Sequence, residues 1–543
     1  MKNLFLGLDC STQSLTGIIV ELESSKVLSQ VNINFDKELS KYQTQNGVII
    51  LENGIVIHSY PLMWIEALEL LFAKFNNEKI PIPDIKAICG SAQQHGTVYL
   101  NKAFESVLKK IDIEKSLVDQ IKPTLSRPTS PIWMDSSTKT QCDEIRNKLG
   151  GLKSSVEILG SDIIERFSGP QIRKFYQNDP KAYNNTSKIH LVSSFMASIL
   201  IGKSAPMDHG DGAGMNLMNI KIRQWDILAL NATAPNLKEK LPPLVKASTI
   251  IGKISPYFVK NYNFNVDTIL IVWSGDNPSS LIGVGLVKKG KVAVSLGTSD
   301  TYFAYLDNLY LDYKGEGHVF GSPTGNYMGL ICYKNGSLAR ERIKNKFKLN
   351  WNEFSEILIR TPPGNNGKIM LPYFFPEIVP NVSEAKVYRF GFNEDDREGN
   401  IRAIIEAQFL SMRLHSEWIG ENPKEIYATG GASLNIEILQ ILASIFNTPV
   451  RLFEVTQSAA LGAAFRAIKP YEASQSNKLS WEEIINRFID FNNTKVIVPD
   501  NRYIELYNDM LELYRKYEDY IHKNKENPEL SRQEFIKKYF KSN

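Results

Sequence analysis

Two polar turns, far apart in the chain, carry residues suited to phosphate chemistry: Gly7-Leu8-Asp9-Cys10-Ser11-Thr12-Gln13-Ser14 and Ser295-Leu296-Gly297-Thr298-Ser299-Asp300. Each is entered by a short apolar segment, Leu4-Phe5-Leu6 or Val292-Ala293-Val294, and left by another, Gly17-Ile18-Ile19-Val20 or Tyr302-Phe303-Ala304-Tyr305. The pattern predicts strand, tight turn, strand, twice. Such a turn aims backbone N–H groups and small hydroxyls into one concave spot, which suits phosphate oxygens. Two of them facing each other would grip a polyphosphate between two domains, and Asp9 adds a hard oxygen ligand for Mg2+, held through water. Singly, each turn also reads as an ordinary hairpin, because Gly, Ser, Thr and Asp are common turn formers. The pairing is what points to phosphate.

A third candidate follows the apolar run Ile269-Leu270-Ile271-Val272-Trp273, where Ser274-Gly275-Asp276-Asn277-Pro278 leads into a helical pattern. Asn277 reads as the N-cap and Pro278 as the first helical residue. Asp276 is then left at the carboxyl end of a strand, where α/β sheets place ligands. A carboxylate there can serve as general base for a substrate hydroxyl, or act as a plain turn residue that assists the cap.

Gly430-Gly431-Ala432, between a strand and a helix, lets a flat ligand approach the backbone closely, with Asn435 one turn into that helix. A tight packing turn would use the same residues, and the full GxGxxG pattern of a dinucleotide site is missing. His95 stands in the Gly-flanked loop after Ile85-Lys86-Ala87-Ile88-Cys89, and Arg166 in Glu165-Arg166-Phe167-Ser168-Gly169. Spacing alone singles out neither, a solvated loop histidine and a surface arginine being the plain alternatives. Gly202-Lys203-Ser204 imitates the end of a Walker A loop, but Ala197 stands where its leading glycine belongs and an apolar helix precedes it, so it reads as a helix-terminating turn.

The elements that must position these residues belong to an α/β chain in which strand and helix patterns alternate. Residues 3–35 read as a strand meander and Tyr60 to Phe75 as a helix. Residues 101–130 are a polar excursion, a surface loop by default. A strand at Ile369 to Leu371 and a helix from about Asn400 to Trp418 follow, and Arg502 to Asn543 reads as one charged helix with an apolar face docked on the body. A chain of 543 residues exceeds one core, and the charged Gly turn at Lys288-Lys289-Gly290 suggests a division into 1–287 and 288–543.

Composition narrows the function classes. The net charge is +4 over 63 basic and 59 acidic side chains, with no basic stripe, so nucleic acid is not an expected partner. The four cysteines, Cys10, Cys89, Cys142 and Cys332, lack metal-ligand spacing, which speaks against zinc and a disulfide framework and for a reducing, cytoplasmic setting. The start of the chain reaches Asp9 too soon for a signal-peptide core, and Leu191 to Ile201 is short and serine-bearing, a buried helix and not a membrane span.

In order along the chain, the Asp9 turn, Gln93-Gln94-His95-Gly96, Trp133-Met134-Asp135, Glu165-Arg166-Phe167-Ser168-Gly169, Asp211-Gly212-Ala213-Gly214-Met215, Gly275-Asp276-Asn277, Ser295-Leu296-Gly297-Thr298-Ser299, Lys334-Asn335-Gly336-Ser337-Leu338 and Ala428-Thr429-Gly430-Gly431-Ala432-Ser433 resemble the FGGY family of carbohydrate kinases. The similarity runs from Gly7 to Ala464. It implies two actin-like (ribonuclease H-like) ATPase domains around a central cleft, the sugar mainly on the first and ATP mainly on the second. It implies Asp276 as catalytic base, with His95, Arg166, Asp276 and Asn277 contacting the sugar. Asp9 would organise Mg2+, Thr12, Gln13, Gly297 and Thr298 would hold phosphates, and Trp351, Gly430, Gly431, Ala432 and Asn435 would line the nucleotide site. The Gln-His-Gly loop favours a ketopentose over glycerol, and the expected reaction is ATP-dependent phosphorylation of D-xylulose. Departures from the family pattern are the loose match at Pro170 to Tyr176, Pro278 after Asp276-Asn277, and Gln457 before Ser458-Ala459-Ala460.

The expected partners are a small sugar and ATP, with no membrane, in a monomer or homodimer. Rival readings are a kinase for ribulose, sedoheptulose or glycerol, a non-catalytic sugar or nucleotide sensor, and a chaperone-like ATPase, the last lacking a peptide-binding domain after residue 500.

Overall fold

The computed structural model describes residues 3–420, 422–453, 457–491 and 494–540. Leu4–Cys10, Ser14–Glu21 and Lys26–Asn34 form the antiparallel meander. Side chains alternate along the first strand. Leu4, Leu6, Leu8 and Cys10 enter the main core together with Trp64, Leu68, Leu71 and Phe75 of the Pro61–Asn77 helix. Phe5, Gly7 and Asp9 therefore belong to the opposite face.

Ile85–Ala92 joins Leu4–Cys10 in parallel, and Ile269–Ile271 and Ile250–Lys253 extend the sheet. The order is 250–253, 269–271, 85–92, 4–10, 14–21, 26–34. The short strand Ser274–Gly275 continues beside the end of Ile85–Ala92, with Ser274 opposite Ser91 and Gly275 opposite Ala92. On the other side of that strand Asp9 is opposite Ser91 and Cys10 opposite Ala92. Three parallel strands thus end at one level and release three segments there: residues 11–13, residues 93–96 and the Asp276–Gly283 helix.

The Ser458–Ser474 helix covers the Gly7 face of this sheet. A Cβ on Gly7 would stand 2.1 Å from the Ala460 carbonyl oxygen. Where the same helix crosses Asp276–Gly283, a Cβ on Gly283 would meet the Ser458 carbonyl oxygen at 1.9 Å, and one on Gly462 that of Ser279 at 1.9 Å. Only glycine permits such backbone approach. Buried Arg466 fastens the crossing by donating to the Val272 carbonyl at 2.8 Å and to Ser279 Oγ at 3.1 Å.

The described chain falls into two compact units, Met1–Val287 with Asp307–Met328 and Val455–Phe491, and Lys288–Leu306 with Gly329–Glu454 and Asn492–Asn543. These units share the division at Lys288, but two later segments return to the first unit, one because the Ser458–Ser474 helix closes its sheet, the other because Val319 N–H donates to the Gly160 carbonyl at 3.0 Å. The second unit repeats the strand logic of the first. Lys291–Leu296 pairs antiparallel with Asp300–Leu306 and parallel with Glu425–Thr429, which pairs in parallel with Val450–Leu452. With Tyr327–Tyr333, which enters this unit at Gly329, the order is 327–333, 300–306, 291–296, 425–429, 450–452, 496–497.

Two other expectations change. The excursion at 101–130 holds the helices Phe104–Lys109 and Leu117–Ile121, whose Phe104, Leu108, Leu117 and Ile121 are buried in the main core, four anchors hidden among polar residues. The tail is two helices, Ile504–Lys523 and Glu529–Tyr539, interrupted by left-handed Asn524 and by Pro528. Tyr507, Met510, Tyr514 and Tyr517 form its buried face, and residues 541–543 lie outside the described residues. All ten residues of Val192–Ile201 are buried, and Gly202 ends that helix at φ 69. No helix among the described residues is long and apolar enough to cross a membrane.

The crossing predicts a contrast between glycines. Gly462→Val should destabilise the protein by about 1–3 kcal/mol through overpacking against backbone, whereas Gly431→Ala, which meets nothing within 4 Å, should leave urea-unfolding midpoints within experimental scatter.

Candidate functional site

The common strand ends of the first unit assemble an acidic centre. Asp9 is buried, and its two carboxylate oxygens accept from the hydroxyls of Ser11 and Ser91. Burial raises its carboxyl above the ordinary carboxylate range, against the lowering effect of those two hydroxyls. Asp276 keeps part of its surface accessible, yet its carboxyl is ringed by protein. Desolvation first, and then the charge of Asp9, push it up to about 7. Buried Asp211, which accepts from Ser193 Oγ, is also raised by desolvation and by Asp208, with a smaller contribution from Asp276. The acidic residues therefore form one electrostatic group.

Helix Asp276–Gly283 starts two residues earlier than its sequence suggests. Gly275 is the N-cap, so Asn277 is not, and Pro278 is the third helical residue. The reason is the strand pairing, which holds the backbone extended as far as Gly275 and no further. Freed from capping, the Asn277 amide donates to Gln94 Oε1 at 2.7 Å and to Asp276 Oδ1 at 3.1 Å. The Asn277 backbone N–H also donates to Asp276 Oδ1, at 2.8 Å. A Cβ on Gly275 would stand 2.2 Å from Gln94 Cγ, so the glycine allows this neighbour. The Nε2 atoms of Gln93 and Gln94 are buried without a hydrogen-bond partner among the described residues.

His95 sits at φ 73 at the end of the Gln-Gln loop, and its Nδ1 lies 2.6 Å from the Gly214 carbonyl oxygen. That contact makes Nδ1 the protonated nitrogen and leaves Nε2 an acceptor. Burial, and then the nearby Arg166 charge, lower the imidazole to about 3, so it is neutral near pH 7. Its ring packs 4.3 Å from Phe167, and Arg166 makes no ion pair among the described residues. Thr12 Oγ1 donates to Gln93 Oε1 at 3.4 Å and accepts from Trp133 Nε1 at 2.9 Å, while Gln13 is exposed. Asp9, Thr12, His95, Asp276 and Asn277 are thus joined through the Gln93–Gln94 loop and the shared strand ends, and Arg166 through its charge on His95.

The second unit groups the other candidates. Thr298 is exposed at the tip of its turn, and Asp300 is taken up in a buried ion pair with Arg340, at 2.7 and 2.9 Å. Ser295 is opposite Thr429, and at Gly430, φ 86, a Cβ would lie 2.7 Å from the Leu296 carbonyl oxygen, so Gly297 and the Gly430-Gly431-Ala432 turn adjoin. Asn435 is the N-cap of Ile436–Phe446 and not one turn inside it, because the short helical turn Gly431–Leu434 comes first. Its oxygen accepts from Glu437 and Ile438 N–H, and its Nδ2 donates to Ser355 Oγ at 2.7 Å. Ser355 belongs to the Trp351–Arg360 helix, whose first residue, Trp351, is 40% exposed. Sequence reasoning missed His318 and Phe320, which join the His95 group from Asp307–Met328, and local sequence carries no signal of it.

Among the described residues no group of three or more His, Cys, Asp or Glu could hold a metal by itself. A Mg2+ that takes most of its shell from water and phosphate oxygens needs only one or two carboxylates. Asp9 beside Asp276 is a donor set of that hard-oxygen kind.

The chain matches the FGGY family of carbohydrate kinases, its N-terminal domain over residues 4–283 and its C-terminal domain over residues 292–469. It is 42% identical over 487 residues to xylulose kinase 2 of Arabidopsis thaliana, spanning 86% of this chain and 87% of that protein. To the xylulose kinase of Rattus norvegicus it is 40% identical over 475 residues, 85% of this chain and 87% of that one. Among solved structures, the xylulose kinase of Rhodospirillum rubrum aligns with a TM-score of 0.80 over 96% of this chain and 99% of that one, at 16% identity, a likeness of fold.

A carboxyl raised from 3.8 to about 7 lends stability that is fully present below its unfolded value and lost as pH rises through its folded one. Asp276→Asn should therefore gain thermal stability over the parent as pH rises from about 5 to about 8. Equal melting-temperature differences at both pH values would show that Asp276 is not perturbed.

Proposed function

Because the chain belongs to the FGGY family of carbohydrate kinases, we propose that it transfers the γ-phosphoryl group of ATP to the terminal primary hydroxyl of D-xylulose, forming D-xylulose 5-phosphate. The observation that carries this reading is Asp276, a carboxyl held near 7 beside a second carboxylate, Asp9. A general base works best when its pKa is near the working pH. Asp276 takes the hydroxyl proton as that oxygen bonds to the γ-phosphorus; the bond from the γ-phosphorus to the β–γ bridging oxygen breaks, and ADP leaves with its electron pair.

Neutral His95 accepts from a sugar hydroxyl through Nε2, and the Arg166 guanidinium and the Asn277 carbonyl oxygen supply a donor and an acceptor beside it. On the phosphate side, Thr12, Gln13, Gly297 and Thr298 offer hydroxyl, amide and backbone donors. Trp351 and Gly430-Gly431-Ala432 offer the flat, side-chain-poor surface an adenine nucleotide needs, and Asn435, its amide engaged, braces that turn. Asp9 would hold Mg2+ through water; when bound, the ion screens the negative charge of the nucleotide phosphates. The similarity of the chain to plant and mammalian xylulose kinases supports the choice of sugar. The buried thiols of Cys10, Cys89 and Cys142 suit a reducing cytoplasm.

ADP release with Mg-ATP, measured across D-xylulose, D-ribulose, L-ribulose, sedoheptulose and glycerol, should show turnover that depends on D-xylulose. Asp276→Ala should lower it by about 10²- to 10⁴-fold. Turnover confined to another sugar would overturn the substrate, and undiminished turnover in the variant would overturn the base. The parent's kcat/KM for D-xylulose should rise with pH through about 7 as Asp276 loses its proton; a profile flat from pH 5 to 8 would contradict the role.

A further inference from the structure

The Asp307–Met328 segment packs within the first unit, where the His318–Gly321 strand adds His318 to the aromatic group around His95. Ring centroids lie 5.3 Å apart for His318 and Phe167, 6.2 Å for His318 and Phe320, 4.3 Å for His95 and Phe167, and 6.4 Å for His95 and Phe320. His318 is 3% exposed, and neither of its ring nitrogens has a hydrogen-bond partner among the described residues. A neutral imidazole always carries one donor and one acceptor. Burying both unpaired is costly, and folded proteins seldom leave such groups unmatched. Packing does not require the nitrogens, since Phe167 and Phe320 fill the same cluster without any.

We infer that His318 is a further sugar-contacting residue, whose two ring nitrogens exchange hydrogen bonds with hydroxyl groups of the bound ketose. This rests on the kinase reading above and extends its sugar site to a segment from the second half of the chain. Burial, and then the charge of Arg166, lower His318 well below the usual imidazole range, so the ring is neutral. A polyhydroxylated ligand matches that state: each hydroxyl both donates and accepts, none is charged, and the C–H faces of the sugar can rest on Phe167 and Phe320. The Arg166 guanidinium, without an ion pair among the described residues and within electrostatic reach of both histidines, adds donors to the same neighbourhood.

The test compares the parent with His318→Phe, which keeps the ring and removes both nitrogens, and His318→Gln, which keeps a donor and an acceptor. His318→Phe should raise the KM for D-xylulose by about tenfold or more, leave the KM for Mg-ATP and the melting temperature close to those of the parent, and be partly rescued in His318→Gln. Across 1-, 3- and 4-deoxy-D-xylulose, at least one deletion that costs the parent affinity should cost His318→Phe nothing further. An unchanged sugar KM in folded His318→Phe, or deoxy penalties identical to the parent's, would overturn the inference and leave the kinase reading standing. If His318→Phe does not fold, His318→Leu, which also removes both nitrogens, and the same deoxy series decide it: deoxy penalties in folded His318→Leu matching the parent's at every position would sink the proposal. A parent protein silent toward D-xylulose would instead overturn the substrate reading and this inference with it.

Discussion

Everything in the first unit depends on the register of three parallel strands. Asp9 lies opposite Ser91, and Ser91 opposite Ser274, so Leu4–Cys10, Ile85–Ala92 and Ser274–Gly275 end together. The pairing forces Asp9 and Asp276 into one small region, where desolvation and like charge raise the second carboxyl to about 7. Packing holds the two acids together against their repulsion, and the shifted protonation equilibrium is the property that the proposed base would use.

The packing in question is unusually close because side chains have been removed from it. Gly7, Gly283 and Gly462 bring the Ser458–Ser474 helix onto the sheet and onto the helix that begins at Asp276. A chain segment from beyond the second sheet therefore helps fix the position of the proposed base. The same logic of return explains His318, carried into the first unit by residues that follow the second polar turn. A ligand bound there would touch portions of the chain that are translated far apart, which ties completion of the site to completion of the fold.

The second unit repeats the strand order but handles its polar turn differently. Asp9 is held by two hydroxyls, whereas Asp300 is neutralised by buried Arg340. The first arrangement leaves hard oxygen donors for a cation to meet; the second pairs its carboxylate with a guanidinium beside the exposed Thr298 and its neighbouring backbone, the better surroundings for phosphate oxygens. Similar turns in similar sheets thus take opposite electrostatic characters from one partner each.

Much of this was legible in the order of residues. Both strand-turn-strand units, the carboxylate at a strand end and the Gly430-Gly431 turn are dictated by short-range backbone preferences, because alternation, glycine and small hydroxyls act within a few residues of where they stand. Tertiary structure decided what those local rules leave open. The start of the Asp276–Gly283 helix shifted by two residues because pairing with Ile85–Ala92 ends at Gly275, and the polar stretch at 101–130 became core because four apolar side chains found the main cluster. Asn435 became a cap because Gly431–Leu434 forms its own turn first. His318 went unread in the sequence; its nitrogens, unpaired among the described residues, and its neighbours Phe167 and Phe320 come together only once a distant segment folds back. Hydrogen-bond satisfaction and burial are properties of the packed molecule, so the residues whose roles rest on them cannot be identified from spacing in the chain.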